Sequence, residues 1–314
     1  MPAAAGGVCK QVLLASLLVA LAGIMLARIS SGSLRSPPAA AAAAAASSLR
    51  SAAAVAPAAA AAAARNSTTT RSNNTSAVAA KASAAANNMS LRYRSPIVIP
   101  PRNGQPHTAT VIVLHGLGDT GDGWAGAAPE LGAALPYARF VFPHAPERAI
   151  TLNYGMKMPG WYDIKSLEDI DQREDKEGVL ESKRYVLEEL VAGGGSSRSD
   201  RTAIVGFSQG GAIALSCLRG GAKLAGVVGM STYVPLRKEP PIVGEANAQT
   251  PILLCHGDAD QVVAYSFGLA AAELLKEATS APVELRTYRG MGHSACPEEL
   301  RDVAAFLKKV LPPV

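Results

Sequence analysis

Ile204-Val-Gly-Phe-Ser-Gln-Gly210 is the stretch on which the reading of this chain turns. An apolar, partly β-branched run breaks into Gly-x-Ser-x-Gly and continues as Gly211-Ala-Ile-Ala-Leu-Ser-Cys-Leu218, which reads as a helix. A strand that bends sharply into a helix needs residues without bulk at both shoulders, here Gly206 and Gly210, so that the serine between them sits strained and exposed. The stretch therefore predicts a buried strand, a nucleophile elbow at Ser208, and a helix that starts at Gln209.

A serine hydroxyl is a poor nucleophile at neutral pH, so it needs a base to take its proton and an acid to orient that base. Behind an elbow serine these follow in the order acid, then histidine. Pro251-Ile-Leu-Leu-Cys-His256 reads as a buried strand, and Gly257-Asp-Ala-Asp-Gln-Val-Val263 leaves it as a polar turn with two carboxylates, Asp258 and Asp260, one of which orients the base. Val283-Glu-Leu-Arg-Thr-Tyr288 alternates like a strand, and Arg289-Gly-Met-Gly-His-Ser294 is a glycine-rich loop at its carboxyl end, where open sheets place their sites. His293 is the only histidine after both carboxylates, which makes it the candidate base. His107, His115, His144 and His256 precede the turn and read as structural or loop residues.

Thr110-Val-Ile-Val-Leu-His-Gly-Leu-Gly-Asp-Thr-Gly121 reads as a buried strand and a flexible loop, the place from which a backbone N–H supplies half of an oxyanion hole. The other half is the N–H of Gln209. The loop also spells Gly116-x-Gly118-x-x-Gly121, a dinucleotide fingerprint, but the next strand, Arg139-Phe-Val-Phe-Pro-His-Ala-Pro146, ends without the acidic residue that would hold a ribose. No cluster of His, Cys and carboxylate has zinc-ligand spacing. The sequence thus implies neither a cofactor nor a metal.

Taken together, these residues resemble the acyl-protein thioesterases of the phospholipase/carboxylesterase group within the α/β-hydrolase superfamily. The resemblance rests on His115-Gly-Leu-Gly-Asp-Thr-Gly121, Pro143-His-Ala-Pro146, Met158-Pro-Gly-Trp-Tyr-Asp163, Gly206-Phe-Ser-Gln-Gly-Gly211, His256-Gly-Asp-Ala-Asp260 and Gly292-His-Ser294, and it runs from about Ser95 to Val314. It implies Ser208 as nucleophile, His293 as base, and the second carboxylate, Asp260, as the orienting acid. It implies Leu117 and Gln209 as backbone oxyanion donors and the Trp161 segment as part of the acyl-chain wall, to which Met158 and Leu152 are natural apolar additions. The implied activity is hydrolysis of acyl thioesters or esters, with acylated proteins or lipid esters as substrates and protein depalmitoylation as the leading case. A general carboxylesterase or lysophospholipase is the alternative, and a non-catalytic receptor on the same scaffold is a third reading. Gln261 stands where the family usually has proline, and Gly160 precedes the tryptophan; neither touches the triad.

Length agrees with one catalytic domain over 95–314, about 220 residues. The fold class expected is α/β, an α/β-hydrolase with a mostly parallel central sheet and helices on both faces. Strands are expected near Thr110, Arg139, Thr202, Leu224, Pro251 and Val283, alternating with helices over Trp124–Leu135, Lys176–Val191, Gln209–Leu218, Val263–Glu277 and Pro297–Val310. Charge separates sharply along the chain. Nine of the 30 basic residues fall in the first 94 positions, where no acid occurs, and the rest of the chain holds 21 basic and 25 acidic side chains. The catalytic domain is mildly acidic, so nucleic acid is not an expected partner. Cys217, Cys255 and Cys296 follow no framework spacing and read as small hydrophobes of a reducing compartment.

Residues 1–29 form a hydrophobic segment and 30–94 an Ala/Ser/Asn-rich, low-complexity tether that holds too few large apolar residues to offset its ordering entropy. Val12 to Ala27 is apolar apart from Ser16 and Gly23, flanked by Lys10 and Arg28. As a helix it would span about 24 Å, somewhat less than a hydrocarbon core of about 30 Å. A membrane anchor leads over a cleaved secretory signal and an organellar transit segment, and the flanking charges favour a catalytic domain on the cytoplasmic side. Sequons at Asn66, Asn73, Asn74 and Asn88 all fall in the tether.

Overall fold

The computed structural model describes residues 93–167, 174–193 and 198–314. The apolar segment at 12–27, the tether and its four sequons lie outside them. The strands are β1 Ile97–Ile99, β2 Ala109–Leu114, β3 Ala138–Phe142, β4 Glu147–Ile150, β5 Met156–Pro159, β6 Thr202–Phe207, β7 Gly226–Met230, β8 Ile252–Gly257 and β9 Val283–Tyr288. The α-helices are α1 Gly121–Ala125, α2 Ala128–Ala134, α3 Lys176–Arg184, α4 Gln209–Ser216, α5 Tyr265–Ala278 and α6 Pro297–Val310.

Seven strands form one sheet in the order β1-β3-β2-β6-β7-β8-β9, and β4 and β5 pair separately as an antiparallel hairpin. Every neighbouring pair in the main sheet is parallel except β1 with β3. The central strands β2, β6, β7 and β8 are buried along their whole length, as strands covered on both faces must be. Their side chains alternate between two cores. Ile204 faces a cluster with Val186 of the α3 continuation, Ile213 of α4 and Leu275 of α5, while Val205 faces one with Trp124 of α1, Leu131 of α2 and Val303 of α6. This is the α/β-hydrolase arrangement the sequence implied.

Chain order reverses direction across the sheet at β2, with β3 on one side and β6 on the other. Such a switch point leaves a crevice outside the carboxyl ends of the strands, and the Ser208 elbow and the 115–121 loop both open there.

Three local expectations needed correction. The single helix expected over Trp124–Leu135 is two, α1 and α2, because Pro129 stands in the first turn of α2; its missing N–H and its ring exclude a continuous helix through Ala125. The expected Lys176–Val191 helix is α-helical only to Arg184 and continues as a π-helical stretch over Tyr185–Ala192. The edge strand β1 and the β4–β5 hairpin were not anticipated, since three- and four-residue strands with mixed burial carry almost no periodicity.

Helix α6 buries a carboxyl group. Cys296 caps it, its Sγ accepting from the Glu299 N–H at 3.4 Å, and the Glu299 side chain is wholly enclosed with neither oxygen hydrogen-bonded. Burial pushes its pKa up to about 8, with the nearby Cys296 backbone acting against it and Asp302 and Asp260 in the same direction. An unfolded glutamate ionises near 4.3, so between that pH and about 8 folding must take up a proton, and stability falls as pH rises. Glu299→Gln, which keeps the shape and removes the charge, is expected to raise the melting temperature at pH 8, with the gain vanishing at pH 4. Thermal melts of both proteins across that range check it.

Candidate active site

Ser208 occupies the one-residue turn between β6 and α4 at φ 52° and ψ −119°, a conformation side-chain-bearing residues rarely adopt. The turn closes because its shoulders lack Cβ atoms: one at Gly206 would overlap the Gly210 carbonyl, and one at Gly210 the carbonyls of Leu114 and His115. The Ser208 N–H donates to Met230 O at 2.8 Å, and Thr232 Oγ1 donates to Ser208 O at 2.7 Å, so the strained residue is also fixed from the end of β7 and the turn after it.

His293 Nε2 lies 2.9 Å from Ser208 Oγ, and its Nδ1 lies 2.8 Å from Asp260 Oδ2. Burial alone would push the Asp260 carboxyl up. Bonds from His256 and His293, the electrostatic pull of the His293 ring and the Val262 N–H outweigh that and hold it well below the usual carboxylate range. An ionised carboxylate only accepts, so Nδ1 carries the hydrogen and Nε2 is left to accept from the serine hydroxyl. Asp260 Oδ1 takes the N–H groups of Val262 and Val263, each at 2.9 Å, which fixes the carboxylate. The Phe207 ring packs against the imidazole at 5.0 Å.

The two carboxylates of the turn divide their work. Asp260 meets the imidazole, whereas Asp258 Oδ1 accepts the Gly290 N–H at 2.6 Å and so ties the β8 turn to the base of the loop that carries His293. Gly290 has φ +72°, a left-handed conformation that suits glycine.

Leu117 and Gln209 line the same cleft as Ser208, and neither backbone N–H makes a hydrogen bond within the described residues. The first N–H of α4 has no intrahelical acceptor, which leaves Gln209 free to donate outward. Its side chain is engaged elsewhere: Oε1 accepts from Trp161 N and Nε2 donates to Tyr162 O, both at 2.7 Å. His115 is structural. Burial lowers its pKa to about 4, so the ring is neutral; Nε2 accepts from Ala145 N at 3.0 Å, which leaves Nδ1–H to donate to Gly116 O at 2.7 Å. The Gly118 N–H donates to Pro159 O at 2.8 Å and completes the support of the loop.

An apolar cleft opens beside Ser208 and His293, lined by Leu152, Ile164, Leu167, Tyr233, Val262 and Val263. Of the three residues expected in the acyl wall, Leu152 lines the cleft. Trp161 does not: its indole is fully buried beneath the loop, with Nε1–H donating to His115 O at 2.8 Å. Met158 also stands off the cleft, on β5, where its sulfur accepts from Asn153 Nδ2 at 3.3 Å. The wall residues not expected from the sequence, Ile164, Tyr233, Val262 and Val263, come from three separate connections, after β5, β7 and β8, and no local pattern marks them.

The phospholipase/carboxylesterase family model matches residues 95–311. The chain belongs to this family. An acyl-protein thioesterase 1 of Neurospora crassa is 46% identical over 239 residues, covering 72% of this chain and 95% of the relative. The crystal structure of Zea mays acyl-protein thioesterase 2 is 30% identical with a TM-score of 0.61, covering 70% of this chain and all of that one. Arabidopsis thaliana SOBER1 is 31% identical with a TM-score of 0.60, over 65% of this chain and 99% of that one. Among the described residues no helix is long and apolar enough to cross a membrane.

Asp258→Ala is expected to lower kcat/KM for an ester about tenfold without changing the fold, because the His293 loop loses its tether but keeps its partners. Steady-state kinetics beside a circular dichroism spectrum check it.

Proposed function

We propose that this protein is an acyl-protein thioesterase that removes long acyl chains from proteins through a Ser208-His293-Asp260 triad. The observation that carries the reading is the unbroken hydrogen-bonded line from Asp260 through His293 to Ser208 Oγ at the mouth of an apolar cleft. An acyl chain lies in the cleft, which brings its thioester carbonyl against Ser208. His293 Nε2 takes the Ser208 proton as Oγ attacks, and the Leu117 and Gln209 N–H groups hold the resulting oxyanion. The imidazolium, stabilised by Asp260, returns the proton to the leaving thiolate. Water, deprotonated by the same nitrogen, then cleaves the acyl-enzyme and frees the fatty acid.

The catalytic unit in this reading spans 95–314. The apolar segment at 12–27 serves as a membrane anchor, with the tether letting the enzyme reach acylated proteins on the cytoplasmic surface. What supports that arrangement is composition, and the substrate itself, which sits in a membrane by its acyl chain.

Ser208→Ala is expected to abolish turnover of both thioesters and oxyesters. Asp260→Asn is expected to cost about 10⁴ in kcat, since the imidazole loses its orienting acceptor and its correct tautomer. A matched series of thioesters and oxyesters from acetyl to palmitoyl checks both and the substrate class. A Ser208-dependent preference for long thioesters supports the proposal, and a preference for acetyl or butyryl oxyesters replaces it with a general carboxylesterase.

A further inference from the structure

Among the described residues, Tyr233 is the one phenol on the wall of the cleft. Most of its ring is enclosed, and the hydroxyl turns away to meet the Tyr162 hydroxyl at 2.7 Å, deep in the core. Tyr162 is not itself on the cleft wall. Both phenols are buried, which pushes both well above the usual tyrosine range, so the pair is a neutral O–H···O bond.

Each partner is also rooted in the nucleophile elbow. Tyr162 O accepts from Gln209 Nε2 at 2.7 Å, and Tyr233 follows Thr232, whose hydroxyl donates to Ser208 O at 2.7 Å. The Tyr233 ring is thereby fixed at its backbone by the elbow and at its far end by Tyr162, and the Phe267 ring stands 6.2 Å away. The aliphatic wall residues Leu152, Ile164 and Val262 can change rotamer without losing a polar contact. Tyr233 cannot swing aside without leaving two buried hydroxyls unpaired, which is a far costlier move.

We propose that Tyr233 determines the acyl length this enzyme accepts, acting as a rigid stop in the cleft that Tyr162 holds in place through their shared hydrogen bond. Tyr162 is then a positioning residue: it touches no substrate and acts only through Tyr233. The inference rests on the cleft being the acyl site of a Ser208 hydrolase.

The test uses the full chain as wild type, Ser208→Ala, Tyr162→Phe, and Tyr162→Phe with Tyr233→Leu, against acyl thioesters and nitrophenyl esters from acetyl to stearoyl. The double variant removes both hydroxyls together, so neither is left unpaired. Its optimum is expected to move toward longer chains by about two to four carbons, since each methylene newly accommodated is worth about tenfold or more in kcat/KM. Tyr162→Phe keeps the Tyr233 ring and frees its far end, so the profile is expected to broaden in the same direction by a smaller amount. That displacement is a readout a merely structural role for Tyr162 would not move, because lost stability lowers all chain lengths alike. If both folded variants keep the wild-type optimum, the proposal is overturned while the hydrolase reading stands. If the double variant is unfolded at the assay temperature, the single variant decides alone. A wild type without Ser208-dependent turnover of any ester overturns both.

Discussion

The turn at Ser208 constrains everything around it. A serine at φ 52° between β6 and α4 stores strain of about 1–3 kcal/mol, which persists only where the surroundings over-determine it. Here they do. Glycines on both shoulders remove the Cβ atoms that would collide with the Gly210 and Leu114 carbonyls, and the serine is held by Met230 O at the end of β7 and by Thr232 Oγ1 just after it. The return for that strain is position: Oγ stands proud of the sheet at the switch point between β2 and β6, and the next N–H leads a helix whose first turn has unfilled donors.

From that point the site is assembled by straps that tie separate loops to the elbow. One is the Gln209 side chain, whose amide bridges Trp161 N and Tyr162 O. The tryptophan then holds His115 O, and His115 holds Gly116 and Ala145, so the loop bearing Leu117 is supported from below by a chain of buried hydrogen bonds. A second strap is Asp258, which fastens the glycine-rich loop of His293 to the end of β8. Residues that never meet a substrate thereby set the distances between those that do, which is why a bulky, buried tryptophan beside the site is a support and not a wall.

Electrostatics divide the buried acids between two tasks. Asp260 is enclosed yet surrounded by donors, so it stays charged and fixes the tautomer of His293. Glu299 is enclosed with neither carboxyl oxygen hydrogen-bonded, so burial keeps it protonated near neutral pH.

The sequence by itself determined the elbow, the order of serine, acid and histidine, and the alternation of strands and helices, because each is written locally: in glycine spacing, in apolar runs, in a turn with two carboxylates. It also held the length of α6, since Pro297 marks a first turn and the apolar period runs unbroken to Val310. What it left open was settled by packing. Nothing local separates Asp258 from Asp260, two residues apart on one turn; only the approach of the 290–293 loop from a distant strand decides which carboxylate meets an imidazole and which a backbone N–H. The same holds for the cleft, whose wall is drawn from residues 152, 164, 167, 233, 262 and 263, and for Trp161, whose burial depends on His115 lying above it. A side chain's neighbours across the sheet are fixed by strand order, and strand order is a property of the whole chain folded at once.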